Sequence, residues 1–151
     1  MATARRSRKL AADPQRLWEV IEDPHHFPRW WPGVKRVEGV ERDRWTQVFM
    51  TKKGRPVRAD FRLLSSEPPG TGGEAPGRRS WEQEVAGTPF ERVLNESITE
   101  VLLEPVEAGT QVTIAQRQKL RGYSRTGSFL LRGATRGKLD EALDGLERIC
   151  G

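Results

Sequence analysis

Residues 126–150 read TGSFLLRGATRGKLDEALDGLERIC, and the rest of the chain is organised around them. At helical spacing Leu139, Leu143, Leu146 and Cys150 fall on one line, with Ala142 and Ile149 beside it. That is one buried stripe. Arg136, Lys138, Asp140, Glu141, Asp144 and Glu147 fall mostly on other faces, which should be wet. Traced backward, the stripe meets Thr135, Arg132, Leu131 and Ser128, so the buried face turns polar toward its N-terminal end. A helix that only plugs a dry core has no need of this. A helix lying across a cavity, with one end near the mouth, does. Gly133 and Gly137 point away from the stripe, and each costs about 1 kcal/mol against Ala inside a helix. They mark a place where the helix can bend, or are surface glycines that the fold tolerates.

Ahead of this helix the pattern has period two. Segments 34–42, 45–52, 55–65, 79–86, 96–106 and 110–120 read as strands, separated by turn residues such as Lys53-Gly54, Gly87-Thr88-Pro89 and Ala108-Gly109. In the third, Val57, Ala59, Phe61 and Leu63 alternate with Arg58, Asp60 and Arg62, giving one dry and one wet face. Asp60 reads as a charge partner of those two arginines. Trp81, Gln83 and Val85 share one side of segment 79–86; Val112, Ile114 and Gln116 share one side of 110–120. Segments 45–52 and 96–106 carry apolar residues on both parities, which leaves their facing open. Residues 66–77, SEPPGTGGEAPG, read as a hairpin tip, because strands of the same type continue on both sides.

The start of the chain differs. Residues 4–11 read as a short strand. Asp13 can cap a helix, Pro14 suits its first position, and Leu17, Trp18, Val20 and Ile21 form its apolar side. The following HHFPRWWP, residues 25–32, is too proline-broken for more than one short turn of helix. The order is therefore strand, two short helices, six antiparallel strands, long helix. A half-buried sheet must cover its dry face, and only the last helix is long enough to do so. The expected fold is α+β, a seven-stranded antiparallel sheet curved around the C-terminal helix, with the two short helices closing one end.

At 151 residues the chain suits a single domain, 1–151, large enough for a real core. No apolar run approaches the roughly 20 residues that span a bilayer. The basic start, MATARRSRKLAA, lacks the apolar core of a secretory signal, so a cytoplasmic location is expected. Cys150 is the only cysteine and the histidines are the adjacent His25 and His26, so neither a disulfide within the chain nor a metal site is expected. The net charge of +5 comes from scattered arginines without a dense block, which argues against nucleic acid as the partner and leaves peripheral membrane contact open.

Two stretches carry a family resemblance. LAADPQRLWEVIEDPHHFPRWWPGVKRVE, residues 10–38, resembles the opening of the START/Bet v 1-like (SRPBCC) superfamily, the polyketide cyclase/dehydrase and lipid transport group. LEPVEAGTQVTI, residues 103–114, is similar to its late hairpin. The resemblance implies the helix-grip fold and a cavity between sheet and helix. Members bind lipids, sterols, quinones, polyketides or plant hormones, and a few cyclise or dehydrate bound polyketides; the ligand expected here is a lipid, isoprenoid, quinone or polyketide-like compound. It carries over no catalytic residue and no cofactor.

The candidate ligand contacts follow from both readings. Trp30 and Trp31 stand with Trp18 and Phe27 in an aromatic cluster that either lines a pocket mouth or pins the short helices to the sheet; two adjacent tryptophans do not easily both face a core. Phe61, Trp81, Gln83 and Gln116 should face the concave side, where a glutamine needs a partner: a ligand, a water or a side chain such as Arg132. Leu131, Arg132 and Thr135 complete the set from the helix. His25 and His26 lack a carboxylate at a telling spacing to make either a general base. The expected function is binding of a small hydrophobic ligand, by a monomer or homodimer. A cyclase or dehydratase acting on a polyketide-like substrate, through Gln83, Arg117 or a histidine, is the alternative, and a basic-surface module meeting RNA, ribosome or membrane is the third.

Overall fold

The computed structural model describes residues 2–51, 53–70, 75–92, 94–122 and 125–151, with the side chains of residues 2, 89, 92 and 125–131 outside the description. Strand β1 (Ala2–Leu10) leads into helix α1 (Pro14–Ile21), a 3-10 turn (Pro24–His26) and the single-turn helix α2 (Phe27–Trp30). Six strands follow: β2 (Val34–Glu38), β3 (Arg44–Met50), β4 (Pro56–Glu67), β5 (Gly77–Gln83), β6 (Leu94–Val106) and β7 (Gly109–Leu120). A 3-10 turn (Pro89–Arg92), not foreseen from the sequence, lies between β5 and β6, and helix α3 (Arg125–Cys150) closes the order.

Capping sets the helical segment. Pro14 holds Asp13 extended (φ −75°, ψ 160°), and the Asp13 carboxylate accepts the Arg16 backbone N–H at 2.9 Å. Leu17, Trp18, Val20 and Ile21 are then buried together. Asp13→Ala should cost about 1 kcal/mol, read as a lowered urea midpoint with an unchanged slope. Asp23 repeats the device, accepting the His25 N–H at 3.0 Å to open the 3-10 turn.

The sheet order is β1-β7-β6-β5-β4-β3-β2, antiparallel throughout. Strands β1 and β2, neighbours in sequence, thus form opposite edges, and α1 and α2 carry the chain between them. The ambiguous strands resolve. Trp45 and Gln47 of β3 face inward, with Val48 also buried but outside the main core. Ser97, Thr99, Val101 and Leu103 of β6 are buried, and Ile98 and Leu102 only partly. The outer face pairs differently from expectation: Arg58 bonds Glu38 at 3.1 Å and Arg62 bonds Glu82 at 3.2 Å, while Asp60 accepts the Thr46 hydroxyl at 2.6 Å. Strand β2 ends at Glu38, short of the expected 42, because Gly39 adopts φ +57°.

Helix α3 lays Leu139, Ala142, Leu143 and Leu146 against the concave face, all without measurable exposure. It passes through Gly133 and Gly137 as one element, and both glycines are exposed with open space where a Cβ would stand. Gly145 is different. A Cβ there would stand 2.5 Å from the Trp30 carbonyl oxygen and 2.6 Å from its Cα. The glycine lets α3 ride directly on the backbone of α2. On its other flank the helix is tied to the edge strand: Arg6 bonds Asp140 at 2.8 Å, and Arg8 reaches Asp144 at 2.5 Å and Glu147 at 3.9 Å. Two residues along a strand match one turn of helix in length, so alternate arginines meet successive turns. These exposed pairs add little energy each, but they set the lateral position of α3.

Candidate functional site

The base of the space between sheet and α3 is filled by rings. Phe27 stacks on Trp30 (5.3 Å between centroids) and on Trp45 (5.8 Å), and meets Trp81 edge-on at 5.4 Å. Trp31 meets Trp81 edge-on at 6.1 Å, and Trp45 stacks on Phe61 at 6.0 Å. Both adjacent tryptophans face the core, contrary to the sequence expectation. The reason is local: α2 ends at Trp30, and Trp31 is already extended (φ −90°, ψ 128°), which swings its ring to the same side. Trp30, Trp31, Phe61 and Trp81 are therefore buried together, Trp30 and Trp81 at 2% exposure. They build a wall more than a mouth.

Above the rings a cavity of about 190 Å³ remains, lined by Phe49, Val57, Ala59, Gln83, Phe90 and Lys138. Strands β3 and β4 give its apolar flank. Gln83 comes from the end of β5, Phe90 from the 3-10 turn that follows, and Lys138 from α3. Phe49, Phe90 and Lys138 were not singled out from the sequence. Phe49 belonged to a strand of ambiguous facing, Phe90 to an unrecognised turn, and Lys138 to the wet side of the helix.

A polar row crosses the otherwise apolar concave face of β6 and β7. Trp81, Thr99 and Gln116 are successive register partners across β5, β6 and β7. Gln116 donates to the Thr99 hydroxyl at 3.0 Å, which leaves its Oε1 buried without a partner. Gln83 Nε2 and Arg132 Nε are likewise buried without a partner among the described residues, as are the indole N–H groups of Trp30 and Trp45. Thr135, one helical turn from Arg132, is buried on the same face. The helix stripe does turn polar toward its N-terminal end. The expected continuation of the stripe to Leu131 falls on a side chain outside the described residues.

The remaining candidates lie elsewhere. His25 Nδ1 sits 2.9 Å from Asp23 Oδ1, and His26 Nδ1 is 3.3 Å from an Arg29 nitrogen. Desolvation is the largest single influence on the Asp23 carboxyl and raises it, but the two hydrogen bonds from His25, with the nearby imidazoles of His25 and His26, together outweigh it and hold the group below its ordinary value. Neither histidine lines the cavity. Arg79 is a buried cation on β5 that donates to Ser66 Oγ at 2.8 Å; burial pushes its guanidinium down, against the opposing pull of Glu22 and Asp23. A larger depression of about 720 Å³ lies outside, between α2, β2 and α3, but it is an open groove in which Arg148 already donates to the Arg29 carbonyl at 3.0 Å. Among the described residues no group of three or more His, Cys, Asp or Glu side chains is placed to hold a metal, and no helix is long and apolar enough to cross a membrane.

Comparison with known proteins agrees with this geometry. The family model described as polyketide cyclase/dehydrase and lipid transport matches residues 1–151. Among solved structures, the chain is similar to XoxI from Bacillus cereus (TM-score 0.70, 17% identity, covering 99% of this chain and 96% of that one). It is similar to a START superfamily protein from Mycobacterium smegmatis (TM-score 0.73, 9% identity, 99% and 97% covered). It also matches the di-domain ARO/CYC BexL from the BE-7585A biosynthetic pathway (TM-score 0.74, 22% identity), covering 98% of this chain and 46% of that one. At these identities the likeness is one of fold. No curated protein matches the sequence.

Proposed function

The chain belongs to the polyketide cyclase/dehydrase and lipid transport family, and from that premise we propose that it binds a small hydrophobic molecule with one polar end between the sheet and α3. One observation carries the reading. A cavity with apolar walls is also lined by Gln83, whose buried Nε2 has no partner among the described residues. Such an atom costs on the order of 1–3 kcal/mol, which a ligand's polar end relieves. Apolar walls take up its body at roughly 25 cal/mol per Å² buried. In this reading Gln83, Gln116, Arg132 and Thr135 face the polar end and Phe61 and Trp81 support the body. Trp30 and Trp31 hold the wall from behind, and Leu131 is assigned to the mouth by helical register alone.

Binding is favoured over cyclisation or dehydration because those reactions need an acid or base at the ligand. Among the described residues that line the cavity, Lys138 is the one titratable side chain. The basic-surface reading is weakened by pairing: Arg6, Arg8, Arg36, Arg44, Arg58 and Arg62 all stand within ion-pair distance of carboxylates. Gentle purification followed by native mass spectrometry, with a panel of lipids, quinones and polyketide-like phenols, should reveal a bound mass. Tryptophan emission should change with the same compound, since the ring cluster supports the cavity. No bound mass and unaltered emission across the panel would sink the reading.

A further inference from the structure

We propose that the polar end of the ligand is an anionic oxygen group, and that its body is about the size of one substituted ring: a small aromatic acid, held by Lys138 and Gln83. This rests on the binding reading above and makes it specific.

The first argument is an excess of donors. Five buried side-chain polar atoms lack a partner among the described residues, and four are N–H groups: Trp30 Nε1, Trp45 Nε1, Gln83 Nε2 and Arg132 Nε. The one acceptor is Gln116 Oε1. Whichever way the two amides are turned, Trp30, Trp45 and Arg132 contribute only donors. Of the five, Gln83 is the one that lines the cavity, and its free N–H asks for a ligand that brings an acceptor.

The second argument is charge. The cavity lining holds one ammonium group, Lys138, and no carboxylate. None of the ion pairs among the described residues involves Lys138. Its neighbours on α3 do otherwise: Asp140 and Asp144 are both engaged by β1 arginines. An anion at the mouth is thus offered a charge-assisted bond from Lys138 and a neutral one from Gln83, in a site that the ligand itself shields from water.

The third argument is size. Pockets for drug-sized ligands run from about 300 to 1,000 Å³, and an engineered cavity of about 150 Å³ holds one benzene. At about 190 Å³ the space admits one ring with a short substituent. Phe49, Val57 and Ala59 take the ring on the strand side, and Lys138 on the helix faces the acid group. A long acyl chain or a fused multi-ring skeleton exceeds this space.

The test uses cinnamate and its uncharged isostere cinnamamide, titrated calorimetrically into the intact protein at neutral pH. The native protein should bind cinnamate about tenfold or more tightly than the amide. Lys138→Gln should reduce that ratio to about one, and Lys138→Arg should keep it. Lys138 is exposed, so circular dichroism should show both variants folded. Gln83→Leu should weaken the acid several-fold while leaving its preference over the amide. Equal affinity for acid and amide, or a preference that survives Lys138→Gln, overturns the assignment while the pocket itself stands. If neither compound binds but a larger compound from the panel does, the size argument is wrong and the pocket again stands. Silence from both compounds and from the whole panel removes the pocket as well.

Discussion

Trp81→Ala is expected to lower stability by about 3–5 kcal/mol, the range for removing a large aromatic from a packed core. Trp81 is 2% exposed and stands edge-on to Phe27, Trp31 and Trp45 at once. Its loss leaves a void beneath three rings, two held by α2 and the residue that ends it and one by β3, so the surroundings cannot easily collapse into it. A domain of ordinary stability has about 5–15 kcal/mol in hand, and the variant should unfold at a much lower urea concentration. A loss below about 1 kcal/mol would mean that the rings enclose slack and not a packed base.

The second large effect concerns Gly145. Gly145→Val should cost about 3 kcal/mol or more, because its added carbons meet the Trp30 backbone, which has no rotamer to escape into. Gly145→Ala already puts its Cβ against that backbone, so overpacking of about 1–3 kcal/mol or more should outweigh the helix-propensity gain of about 1 kcal/mol and leave a clear net loss. Gly137→Ala is the control. Nothing lies within 4 Å of its added Cβ, so it should gain up to about 1 kcal/mol. Thermal and urea unfolding of the three variants tests the contact directly. Equal stabilisation by both alanines would show that α3 does not ride on α2.

Most of the fold was legible because its signals are local. The Asp13-Pro14 cap, the alternation through 57–63 and the Leu139–Leu143–Leu146 stripe each need only one element to be read. A seven-stranded sheet curved around the last helix followed from counting those elements and asking what covers the dry face, and the family resemblance implied the helix-grip. The unread parts depend on contacts between elements. Gly145 looks like any other helix glycine until α2 is placed beneath it. Trp30 and Trp31 seemed too close together to share a core, because a helix ending between them leaves no periodicity to see. The polar half of the site was visible as Gln83, Gln116, Arg132 and Thr135, amides and a cation on otherwise apolar faces. Lys138 was not, since one position beyond a stripe boundary reads as solvent until the sheet's distance from the helix is known.

The ion pairs joining Arg6 to Asp140 and Arg8 to Asp144 span 134 and 136 positions of sequence. Strand β1 also needs β7 as its hydrogen-bonding neighbour, and the concave surface has no lid before α3 arrives. During synthesis, then, the nine residues of β1 must wait for β7 and α3 to leave the ribosome. A nascent chain halted after β7 would present an uncovered greasy trough to solvent or to chaperones, and emergence of the 26 residues of α3 would set the moment of closure.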